Sequence, residues 1–241
     1  MPPDMLVNHW LLNLAIEYPV WLASVFPVVD TEGLNAKSVP GCSSEIYADN
    51  LLALFDAGLI KFTSEVPGDD AATEQGIRQI LSRFVSLSIP ASSPKRNVYS
   101  PPLYNRNRLL GIGVTFEVTP LGGAAWERVA EPDWLHILTE SRDSTSGELT
   151  SPDRDLLIAY MGWYPELNRE RILLETVRWQ THSNHKILYW KRLPFVYHAS
   201  FGLQPTNPRW ETDELNWFRQ WRWSALTWHK NPWELPDWPS Q

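Results

Sequence analysis

The sequence predicts an α+β protein in two parts: a helical N-terminal half with a small β-wing over 1–140, and a Trp-rich mixed α/β half over 151–241. Three observations predict it. LLALFDAGLIKF (51–62) reads as a helix that stops at a glycine and turns into a strand. FEVTPLGGAAWERVA (116–130) reads as a strand that turns into a capped helix. Beyond residue 170 the chain is dense in β-branched and aromatic residues that partly alternate, as strands do.

The elements follow in order. The apolar run at 10–29 has the look of a membrane span, but Asn13, Glu17, Pro19 and Pro27 interrupt it and no Lys or Arg precedes Lys37. It therefore predicts two packed helices, or a helix and an extended piece. Ser43 can cap a helix over 44–57, with Glu45 in its first turn. Gly58 suits the left-handed position past its end, with Leu59 folding back on Leu54 and a short strand running on to Thr63. Ile77, Ile80, Leu81 and Phe84 recur at helical spacing and predict an amphipathic helix over 72–86. Pro90, Pro94, Pro101 and Pro102 then predict a long loop.

Val114, Phe116 and Val118 alternate as a strand, and Thr119 with Pro120 caps the next helix. The polar stretch 141–151 reads as a link between the halves. Ser151, Pro152 and Asp153 signal a helix start, with Gly162 at its end. Strands are predicted over 171–179, 186–193 and 195–203, the last two hinged at Pro194. Residues 212–226 fit either helix or strand, with Trp217 and Trp221 at helical spacing.

Composition bounds the class. At 43% apolar and 20% charged residues the chain suits an ordered globular protein. The single Cys42 excludes an internal disulfide framework and points to the reduced cytosol. A net charge of −7 conceals an acid-free interval at 75–116 that carries Arg78, Arg83, Lys95, Arg96, Arg106 and Arg108, leaving the remainder at −13. Such a patch on an acidic chain suits an anionic partner surface. Ten of the fourteen tryptophans lie from Trp163 onward, seven of them in the last thirty-two residues. Dense tryptophan suits a stapled core with a wet edge, or a binding surface.

No motif for catalysis or metal binding stands out. His182 and His185 form H-x-x-H, but zinc needs three or four ligands and Cys42 is the only thiol, so the pair reads as a polar turn between strands. His9, His136, His198 and His229 are scattered singly. Nucleophile-elbow, zincin, phosphate-loop and dinucleotide fingerprints are absent from the sequence. The acid pairs Asp153 with Asp155 and Glu166 with Glu170 read as caps and surface charges.

Together, the stretches at 51–62 and 116–130 resemble the end of the third helix, the second wing strand and the closing helix of a bacterial winged-helix domain. That resemblance implies that the 44–57 helix sits where regulators read a major groove. Its charges are Glu45, Asp49 and Asp56, with no Lys or Arg, which disfavours phosphate contact. More loosely, residues 58–60, 119–127 and 132–134 are similar to small bacterial proteins with a GLI strand, an LTxxGxxxWE helix and a downstream PDW. This implies an immunity or adaptor role.

The expectation is thus a non-catalytic, cytosolic protein that binds another protein, with no cofactor, metal or membrane. A winged-helix nucleic-acid-binding regulator is the alternative. The residues expected to make contact are Lys95, Arg96, Arg106 and Arg108, then Trp217, Trp221 and Trp223.

Overall fold

The computed structural model describes residues 3–22, 25–26, 42–65, 68–87, 113–162, 164, 170–205 and 228–229. Within them the chain is α+β, with five helices and two antiparallel sheets. It divides into two compact units. The first holds the chain up to Val129 together with Leu188–Trp190; the second begins at Ala130 and resumes at Lys191.

In the first unit α1 (Pro3–Leu14) is followed by the short strand β1 (Val20–Trp21), so the apolar N-terminal run is a helix and an extended piece as far as it is described up to residue 22. Among the described residues no helix is long and apolar enough to cross a membrane. Helix α2 (Ser44–Asp56) begins where Ser43 accepts the Ile46 N–H. It ends in a Schellman stop: Gly58, at φ 67°, donates to the Phe55 carbonyl and Leu59 donates to the Leu54 carbonyl. Strand β2 (Ile60–Ser64) leaves directly from that stop. Helix α3 (Glu74–Leu87) follows the predicted stripe, burying Ile77, Ile80, Leu81 and Phe84. Strand β3 (Val114–Val118) then pairs on one side with β2, Ile60 opposite Val118, and on the other with β1, Val20 opposite Phe116.

The two stretches singled out in the sequence therefore meet. Thr119, at the start of α4 (Pro120–Ala130), donates from its hydroxyl to the Gly58 carbonyl and from its backbone to the Leu59 carbonyl, and it accepts the Gly122 N–H. Gly122 lies against the same junction, where a Cβ would come 1.9 Å from the Leu59 carbonyl oxygen. Gly122→Ala would gain about 1 kcal/mol of helix propensity. The clash is with backbone, which cannot swing aside, so we expect a net loss of about 2 kcal/mol, read as a lower denaturant midpoint. Gly162→Ala is the control: its Cβ would meet nothing within 4 Å and should be neutral or stabilising.

The core of this unit is aromatic. Trp10 lies against Tyr47, Phe62 against Phe116, and Trp126 edge-on to Trp190. Trp190 also donates its indole N–H to the Ile16 carbonyl at 2.8 Å. The Tyr189 hydroxyl accepts the Val118 N–H and donates to the Ala15 carbonyl.

The second unit holds β4 (Thr139–Arg142), β5 (Ser146–Ser151), α5 (Arg154–Gly162), β6 (Glu170–Lys186) and β7 (Arg192–Pro205). The strands form one antiparallel sheet in the order β4-β5-β7-β6. Leu149, Ile172, Phe201 and Leu203 pack from its inner face on Leu157, Tyr160 and Tyr164.

Four sequence expectations change here. The 141–151 stretch is not a link; it is most of the β4–β5 hairpin, and its polarity serves the turn. The Asp143 carboxylate accepts the Thr145 and Ser146 N–H groups and both their hydroxyls, which holds its pKa down to about 2. The cap of α5 is Asp153, which accepts the Asp155 N–H at 2.8 Å, because Ser151 is still paired in β5. The strand break falls at 187–191 rather than at Pro194, which lies inside β7. Proline is tolerated there because β5 pairs with β7 only over 197–202, so one side of residue 194 needs no ladder donor. Finally, His182 and His185 belong to β6, opposite Val196 and Leu193, and do not form a turn.

Candidate functional site

All seven residues expected to make contact, Lys95, Arg96, Arg106, Arg108, Trp217, Trp221 and Trp223, lie outside the described residues. The other two cations of the acid-free interval are described, and both are neutralised in space. Arg78 Nε donates to Glu74 Oε1 at 2.8 Å, one helical turn back. Arg83 makes a two-pronged bond to Asp69 at 3.0 and 2.9 Å, and Ser64 donates to the same carboxylate. The Arg83 bond holds Asp69 below the usual carboxylate range despite partial burial. The acids lie just before the interval in sequence, so counting charge between 75 and 116 omits them.

Three features of the second unit bring chemistry-bearing side chains together. The first is a carboxylate network. Glu140 accepts the Tyr160 hydroxyl at 2.7 Å and the Tyr164 hydroxyl at 2.8 Å, while Arg142 reaches across to Glu170 at 2.9 Å. Burial, then the bond to Glu140, raises the Tyr164 pKa, so this phenol stays a proton donor. No local signal marked Glu140, which sat at the edge of an apparently polar link. Glu170, a surface charge by its sequence context, is paired with Arg142; Glu166 lies outside the described residues.

The second is a histidine cluster. The β6–β7 register brings His198, which stands alone in the sequence, beside His182, on which His185 is also stacked. Folding a hairpin about 187–191 would have disclosed this, but the predicted turn lay elsewhere. Among the described residues no group of three or more His, Cys, Asp or Glu side chains has the geometry to hold a metal ion.

The third is a strand edge with aromatic neighbours. β6 runs for 17 residues, and only Ile172 among them is buried. Globular strands average about 5–6 residues. Among the described residues β6 pairs on one side only, with β7. A register shift between Leu173 and Arg178 pushes Leu174 out to 74% exposure, and Phe195 is also exposed. Trp228, from the Trp-rich C-terminal stretch, packs on Trp134 at 5.0 Å, with Lys191 over the Trp134 ring and the Asp133 N–H on the Trp228 carbonyl. Here the indole serves as a staple between rings.

No protein-family model, curated protein or solved structure matches the chain.

Proposed function

We propose that the chain is a non-catalytic protein-binding protein of the immunity, inhibitor or adaptor type, acting in the cytosol. The observation that carries this reading is β6. A long, well-exposed strand with one side unpaired among the described residues offers a row of backbone donors and acceptors. An extended segment of another protein can complete that row, with pockets for alternate side chains setting specificity. Leu174 and Phe195 supply apolar surface nearby. The basic loop residues Lys95, Arg96, Arg106 and Arg108, and Trp217, Trp221 and Trp223, are the further proposed contacts.

The first unit is read as a winged-helix-like scaffold. The antiparallel pairing of β2 with β3 and the helix that follows support that reading. Helix α2, with Glu45, Asp49 and Asp56 and no basic residue, argues against groove reading. Capture from source cells on the immobilised chain tests the proposal. A bound protein should persist as salt rises from about 50 to about 200 mM and should be lost from Leu174→Asp. Recovery of nucleic acid that falls away steeply over that range, and is indifferent to Leu174→Asp, would favour the regulator instead.

A further inference from the structure

Three imidazoles meet on one hairpin. His182 stacks on His185 with ring centroids 5.5 Å apart, and His198 meets His182 edge-on, also at 5.5 Å. Thr150 Oγ1 of β5 lies 3.0 Å from His198 Nδ1. A hydroxyl donates to a neutral ring nitrogen or accepts from a protonated one, so this bond does not select a charge state.

The register defines what surrounds the cluster. Along the row of His198 stand Arg178 and Gln180 on β6, Glu148 and Thr150 on β5, and Thr139 and Ser141 on β4. Arg192 and Lys186 pair at the hairpin end, next to His185. Helix α5 packs through Leu157 and Tyr160 on the opposite face, against Leu149 and Phe201. Among the described residues Glu148 is the one carboxylate in that row, offset by two residues from the Thr150–His198 pair. Among the described residues the charges that act on His185 are His182, His198 and Arg192, none of them an anion, and with burial, the largest cause, they lower its pKa.

We propose that His182, His185 and His198 form a pH-sensitive latch, packed while neutral and mutually repelling once protonated, so that mild acid loosens β6 from β7 around residues 180–185 and 196–199. The sign follows from linkage. His185 holds its proton less tightly when folded than when opened. Its contribution is complete above the ordinary imidazole value of about 6.5 and declines as pH falls below it toward the lower folded value. The inference does not depend on the proposed partner.

Amide hydrogen exchange of the full chain at about pH 7.5 and about pH 5.5, corrected for intrinsic rates, tests it. We expect protection at 180–185 and 196–199 to fall roughly three- to fivefold at the lower pH. His182→Gln, which removes the central ring, should shrink that loss. His185→Gln serves the same purpose if the first variant does not fold. Unchanged protection in the wild type, or an undiminished loss in the variant, overturns the proposal. So does a proton NMR titration in which all three imidazoles titrate at or above the ordinary value.

Discussion

Trp126→Ala is expected to destabilise the first unit by about 4 kcal/mol, the upper part of the range for emptying an aromatic site. Trp126 is fully buried, donates its indole N–H to Asn13 Oδ1 at 3.0 Å, and stands edge-on to Trp190 with centroids 6.4 Å apart. Truncation leaves a cavity, an Asn13 amide stripped of this donor, and a Trp190 ring without its edge-on contact to Trp126. A domain of ordinary stability has about 5–15 kcal/mol in total, so the variant should be close to unfolding. Hydrogen exchange at Val114–Val118 gives a readout specific to this unit. Trp126→Phe fills most of the volume but lacks the donor, and should lose about 1–2 kcal/mol. A Trp126→Ala loss below about 1 kcal/mol would mean that the surroundings collapse onto the site.

Glu140→Ala should cost the second unit about 3 kcal/mol, because it leaves two buried hydroxyls without their acceptor at about 1–3 kcal/mol each. Tyr160 and Tyr164 are both almost fully buried, and each places its hydroxyl on a different oxygen of that carboxylate. Restoring apolarity should recover much of the loss. Combining Glu140→Ala with Tyr160→Phe and Tyr164→Phe is expected to give a triple variant more stable than the sum of the separate losses implies. Strict additivity in denaturant unfolding would show that the three groups do not act as one network. Glu140→Gln keeps one acceptor oxygen and should fall between wild type and Glu140→Ala.

The two buried networks differ in how far the sequence discloses them. Trp126 stands in a capped helix that Thr119, Pro120 and the strand before it mark clearly, so its element was legible although its partner Asn13 was not. Glu140 lay in a stretch whose Ser, Asp, Thr and Gly residues suggested a link. Those same residues build a tight hairpin turn around Asp143, and composition alone does not separate a turn from a tether. His198 carried no signal by itself. It acquires neighbours only once β6 and β7 are in register, and Pro194 drew the predicted turn away from 187–191. The paired cations Arg78 and Arg83 show the reverse effect, since an apparent basic patch loses at least those two charges to Glu74 and Asp69.

By itself the sequence determined the local events: the Ser43 cap, the Gly58 stop, the stripe of α3, the alternation of β3 and the Thr119–Pro120 start of α4. The caps and the stop rest on contacts within about four residues, where backbone sterics and capping bonds act locally, and the stripe and the alternation are legible because side-chain direction repeats with the backbone period. Only the tertiary structure decided what those elements hold together. It set the pairing of β2 with β3 across α3, the seating of Trp190 on Ile16 over a separation of 174 residues, the Glu140 network and the histidine cluster. The Glu140 network and the histidine cluster depend on strand register, and a slip of one residue would send Glu140 or the histidines of the slipped strand to the other face.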